Sequence, residues 1–70
     1  MSREQTTKKF TENVAEIMER QNMTQTELSR RTGITQGSLS KYLMGHREPT
    51  ITPVTQIAKA LGVTVDALLK

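Results

Sequence analysis

Apolar residues in this chain of 70 fall at three- and four-residue intervals, the spacing that gathers side chains onto one face of a helix, and no strand signal interrupts them. Phe10, Val14, Ile17 and Met18 define a first stripe, extended by the stem of Gln21, with Asn22 as its left-handed stop. Leu39, Tyr42 and Leu43 share one face of a later helix. Val54, Ile57, Ala58 and Leu61 line another, and Val65, Leu68 and Leu69 mark a short last one. With the segment that follows Thr24, the pattern predicts five helices and an all-α fold.

The helix boundaries carry their own signals, and they are densest between Thr24 and Met44. Thr24-Gln25-Thr26-Glu27 is a capping box: the Thr24 hydroxyl accepts from the Glu27 amide while the Glu27 carboxylate reaches back to the Thr24 amide. Met23 and Leu28 stand at the apolar staple positions around it. This helix runs to Thr32 and stops at Gly33, which adopts the left-handed conformation without a Cβ penalty. The same grammar then repeats, with Thr35 as cap, Ile34 and Leu39 as staple and Gly45 as stop, so that three residues separate the two helices. Two short helices with so tight a joint form a helix-turn-helix. Further on, Thr50 or Thr52 opens a helix with Pro53 in its first turn, Gly62 closes it, and Thr64 caps the last helix between the staple residues Val63 and Leu68.

In the helix 35–44, Gly37, Ser40, Lys41 and Met44 face away from the apolar stripe, flanked by Gln36 and Ser38. That face suits a DNA major groove, where glutamine pairs with adenine, lysine with guanine, and serine with a base edge or a phosphate. It suits water equally well, and two-helix units with a glycine turn are common in helical domains. Gly37 is the one glycine inside a predicted helix, where it costs about 1 kcal/mol relative to alanine. It therefore points to close backbone approach by another surface, or to simple tolerance.

Composition narrows the choice. Seventy residues, 34% of them apolar, make one small domain, with residues 1–9 read as a polar N-terminal arm and 10–70 as the folded unit. There is no cysteine for a disulfide or a thiolate metal site. No apolar run is long enough for a signal peptide or a membrane span, so a cytoplasmic location is expected. His46 stands alone, without a second ligand at metal spacing, and no nucleophile pairs with a base. An enzyme, a metal and a cofactor are therefore not expected. The net charge of +3 is modest, but its placement is polarised: Glu12, Glu16 and Glu19 fall on one side of the first helix, and Arg30, Arg31, Lys41 and Arg47 fall in or just after the two-helix unit.

Taken in order, the first helix, TQxELSxxxGITQxSLSKYLxG, the REP loop and IAKALGVTVDALL resemble the phage repressor and Cro family of helix-turn-helix proteins, often called XRE-type, from about Phe10 to Leu69. The resemblance implies a five-helix repressor-like DNA-binding domain. It implies that Gln36 is the principal base reader, with Gly37, Ser38 and Lys41 at neighbouring groove-facing positions. Gln25 would hold a phosphate and brace the reading helix, and Thr24, Thr35, Ser40 and Arg47 would contact further phosphates. A homodimer on a pseudo-palindromic operator in double-stranded DNA is implied too, with Val65, Leu69 and the segment from Arg47 to Ile51 as its interface. RNA polymerase is the further partner that such a role allows.

Two positions depart from the family. Met18 and Leu43 stand where an arginine of the first helix often pairs with a glutamate of the third, so apolar contact replaces an ion pair whose burial would cost desolvation. Gly37 stands where the family offers a side chain, which leaves readout of that base pair open. Tyr42 is read as a core residue with its hydroxyl at the rim. Two functions fit this fold: a sequence-specific transcriptional regulator, expected to act as a repressor, and an antitoxin or adaptor module whose main partner is a protein. Such antitoxins usually add a toxin-binding tail. This sequence ends at Lys70, just past its last helix, which favours the regulator.

Overall fold

A computed structural model describes residues 3–70, with side chains from residue 5 onward. Its elements are α1 (Arg3–Arg20), α2 (Gln25–Thr32), α3 (Gln36–Leu43), α4 (Ile51–Leu61) and α5 (Val65–Leu69). No strand occurs among the described residues. The five-helix, all-α architecture is the one the apolar spacing predicts.

The helix starts follow one rule with one exception. Thr24, Thr35 and Thr64 are extended, and each side chain accepts a hydrogen bond from the amide three residues on, at 3.1 Å from Glu27, 3.2 Å from Ser38 and 3.1 Å from Ala67. Thr50 has the same extended backbone, yet its side chain makes no cap bond. The residue three positions on is Pro53, which has no amide to donate. Proline's fixed φ preorganises this entry instead.

The stops are equally regular. Asn22, with φ 53, ends α1, where the Met23 amide reaches the Met18 carbonyl at 2.9 Å. The same six-residue closure ends α3 through His46 to Lys41 at 2.9 Å and α4 through Val63 to Ala58 at 3.0 Å.

One boundary differs from the sequence reading. Residues 3–9, taken there as part of an arm, belong to α1; residues 1 and 2 of that arm lie outside the described residues. No glycine or proline falls between Arg3 and Phe10 to stop a helix, and the extension has something to pack on. Thr6 and Thr7 are half-buried, and a Cβ placed on Gly45 would stand 4.0 and 3.9 Å from the methyl groups of Thr7 and Thr11. The start of α1 therefore lies across the end of α3.

All five helices feed one core. Phe10, Val14 and Ile17 come from α1, Leu28 from α2, Leu39 from α3, Val54, Ile57, Ala58 and Leu61 from α4, and Leu68 from α5. α1 packs on α5 and α3, and α4 packs on α2 and α5. Met18 and Leu43 lie half-buried against this cluster. Two neutral side chains add long-range ties to helix ends, whose last carbonyls lack intrahelical donors. Gln21 Nε2 donates to the Leu61 carbonyl at 2.8 Å, and Asn13 Nδ2 donates to the Leu68 carbonyl at 3.0 Å. Gln21 thus contributes its amide to the fold as well as its stem.

Two glycines make opposite demands, and the same substitution separates them. Gly33 has φ 78 and no atom near a prospective Cβ, so Gly33→Ala should lose about 1–2 kcal/mol of stability through backbone strain alone. Gly37 is helical with equally open space, so Gly37→Ala should gain up to about 1 kcal/mol. Chemical denaturation of both variants should move in opposite directions; a shift of the same sign in both would contradict this account of the two backbones.

Candidate nucleic-acid interface

The relation between α2 and α3 is set by the turn Gly33-Ile34-Thr35. The Ser29 hydroxyl crosses it to donate to the Ile34 carbonyl at 2.5 Å. Thr32 Oγ1 donates back to the Leu28 carbonyl at 2.8 Å and accepts the Ile34 amide at 3.1 Å, while the Gly33 amide reaches the Ser29 carbonyl at 2.9 Å. Ile34 itself packs against the core. A further brace joins the two helix starts: Gln25 Nε2 donates to the Gln36 carbonyl at 3.4 Å. Bracing by Gln25 is what the family resemblance implies; the clasp made by Ser29 is a further contact that the resemblance does not include. Its sequence signal is a serine four residues before the turn glycine, placed to reach over the helix end.

α3 divides cleanly. Leu39 is fully buried, and Tyr42 and Leu43 pack half-buried on the core. On the other side Gln36, Gly37, Lys41 and Met44 are exposed, with Ser38 and Ser40 half-exposed. The four positions expected to read bases therefore lie together on the helix face that serves no core. Among the described residues, the Gln36 and Lys41 side chains have no hydrogen-bond partner within the chain. Thr24 and Thr35 spend one lone pair on their caps and keep the hydroxyl proton to give to an external acceptor. Ser40 is differently occupied, its hydroxyl donating to the Met44 sulfur at 3.5 Å. Arg47 lies over the Tyr42 ring, 5.6 Å from its centroid, so the half-buried ring steadies a cation just past the end of α3. Tyr42 is thus a core residue, as expected, with a second task as the platform for Arg47. The residues expected at a dimer interface sit elsewhere, Val65 and Leu69 half-buried on α5 and Ile51 70% exposed at the start of α4.

The charge pattern needs one correction and the capping box another. Glu27 accepts from Arg30 at 2.6 Å and from Arg31 at 2.8 Å, the partners at its i+3 and i+4 positions. Its carboxylate therefore does not turn back to the Thr24 amide, and only the threonine half of the box forms. Arg30 and Arg31 are correspondingly engaged in a local cluster on α2, which leaves Lys41 and Arg47 as the cations on and beside the exposed face of α3. The hydrogen bonds from Arg30 and then Arg31 hold the Glu27 carboxyl below its ordinary range, and the same contact raises Arg30. Among the described residues no helix is long and apolar enough to cross a membrane.

Because the Glu27 pKa is lowered on folding, its contribution to stability is complete above the ordinary carboxylate range and is lost as pH falls through that range toward the lowered value. Glu27→Gln should therefore lose less stability between neutral and acid pH than the parent chain. Urea midpoints across that interval check this, and parallel curves for the two proteins would show the cluster to be energetically idle.

The helix-turn-helix family model matches residues 14–68, from the middle of α1 to α5. The chain is 33% identical over 61 residues to YqaE of Bacillus subtilis (strain 168), an uncharacterized HTH-type transcriptional regulator; the match covers 87% of this chain and 53% of YqaE. It is 36% identical over 52 residues to y4dJ of Sinorhizobium fredii (strain NBRC 101917 / NGR234), another uncharacterized HTH-type transcriptional regulator, covering 74% of this chain and 68% of y4dJ. The chain thus spans about half the length of YqaE. No solved structure matches it. With the match running through both helices of the clasped unit and the core that carries them, the chain belongs to the helix-turn-helix family of phage repressor and Cro (XRE) type.

Proposed function

We propose that this chain is a transcriptional repressor of phage or bacterial type that acts in the cytoplasm, laying α3 into the major groove of an operator. The observation that carries the reading is the division of α3: one face is anchored by Leu39, and the other presents unengaged polar groups from a rigid joint. Eight residues at 1.5 Å each make a helix about 12 Å long, close to the width of the major groove. Gln36 and Lys41 offer bidentate or paired hydrogen bonds to base edges, Ser38 a shorter contact, and Gly37 lets the helix backbone approach the bases without an intervening side chain.

Around this reader, the uncapped amides at the starts of α2 and α3 and the hydroxyls of Thr24 and Thr35 address phosphates. Gln25 serves the phosphate beside the brace it makes to Gln36. Arg47, held on Tyr42, meets the backbone at the other end, and Ser40 lies between them. Occupying an operator in this way blocks RNA polymerase or brings it into contact.

Binding should weaken as salt rises, because lysine and arginine displace counterions from phosphates. Gln36→Ala and Lys41→Ala should each lower the preference for DNA selected from a random pool by about 1–3 kcal/mol, with little change in thermal stability. Arg47→Ala should weaken selected and random DNA alike. Titrations of labelled duplexes at several salt concentrations test all three. Absence of binding at low salt would remove the nucleic-acid reading, and equal losses on both DNAs for Gln36→Ala would return that residue to the solvated surface.

One reading helix spans few base pairs, so discrimination within a genome calls for two copies on a pseudo-palindromic site with half-sites about 34 Å apart. Val65, Leu69 and the segment from Arg47 to Ile51 are the proposed contact between them. A full palindrome should bind more tightly than a single half-site, and Leu69→Glu should erase the difference. Like affinities for both DNAs in the parent chain would mean that it acts singly on DNA.

A further inference from the structure

Among the described residues only two large apolar side chains are exposed, Ile51 and Met44. Met18 and Met23 pack against the core, and Met44 does not; it is 64% exposed. It is also on the face just assigned to DNA. Met44 caps α3 with a right-handed helical backbone, φ −89 and ψ −2, so its side chain continues the helical register of Gly37, Ser40 and Lys41. The Ser40 hydroxyl donates to its sulfur at 3.5 Å and so biases where the flexible thioether points. An apolar, polarizable tip held at the end of an otherwise polar face is out of place against water and lies too far along the helix to share the contacts of Gln36.

We propose that Met44 is a specificity-determining residue that packs on the C5-methyl group of a thymine at the wall of the major groove. The chemistry follows from what the groove offers. The only apolar group on the major-groove edge of any base pair is the thymine methyl, and it projects outward next to its own strand's backbone. A helix that spans the groove puts its first residues over the base edges and its end against that wall. A thioether, with no proton to give and only a weak acceptor, gains from a methyl group and gains little from a phosphate. Ser40 acts through Met44 as a positioning residue, which accounts for a hydroxyl turned toward sulfur on a polar face.

This inference rests on the DNA-binding reading, and the test separates the two. The chain is used to select duplexes from a random pool, and each thymine of the selected site is then replaced singly by deoxyuridine, which removes one methyl group and leaves every hydrogen-bonding edge intact. At one thymine per half-site the parent chain should bind about fourfold more weakly to the uracil duplex, the amount expected for one buried methyl group. Met44→Ala should bind thymine and uracil duplexes alike, Met44→Leu should restore most of the difference, and Ser40→Ala should reduce it. Thermal unfolding of the three variants should stay close to that of the parent, since none of these side chains is in the core. If the parent binds selected DNA but no single uracil weakens it, or if Met44→Ala keeps the same thymine preference, the Met44 assignment is overturned and the DNA reading stands. If the parent selects no DNA at all, both are overturned.

Discussion

Ser29, Thr32 and the left-handed Gly33 close the joint between α2 and α3 with hydrogen bonds at 2.5–3.1 Å, and Leu28 and Leu39 bury one anchor from each helix beneath it. Every exposed group on α3 inherits its position from that joint. A side chain on an eight-residue helix has no orientation of its own: free helices of this length do not persist in water, and their direction is set by what they pack on. The clasp converts two marginal helices into one body. Burying an anchor such as Leu39 contributes roughly 1.5–3 kcal/mol, enough to hold a single turn of helix but not to hold it at a unique angle. The angle comes from the hydrogen bonds across the turn.

Most of this architecture is legible in the residues because its boundaries are chemical. Threonine caps, glycine stops and a three- or four-residue apolar interval act locally, so Thr24, Thr35, Thr64, Gly33 and Gly62 can be read without knowing the fold. The start of α1 could not be read in this way, because residues 3–9 carry no apolar stripe and become helical by packing across Gly45, far away in sequence. Glu27 departs from the capping-box expectation for a related reason. Three partners lay within its reach, and two guanidinium groups outcompete one backbone amide. The candidate reading face was visible as a pattern of polar positions, whereas the stacking of Arg47 on Tyr42 and the bond from Ser40 to Met44 required knowing which way the chain turns after α3.

The positions of charge and of neutral polarity divide the molecule in two. Cations that face outward from the two-helix unit and its following loop are exposed to the ionic atmosphere, which screens them over about 10 Å at ordinary ionic strength. The ties that hold α1 to the ends of α4 and α5 are carboxamides, Gln21 on Leu61 and Asn13 on Leu68, and no buried charge lies among the core residues.

The two halves of the molecule therefore respond differently to salt. A neutral amide on a carbonyl is nearly indifferent to the concentration of potassium or magnesium, so these two ties do not share the ionic sensitivity of the charged surface. On the proposed function, a rise in ionic strength weakens the hold on DNA without loosening these two ties. On that reading, letting go of DNA and losing the packing of α1 on α4 and α5 answer to different conditions.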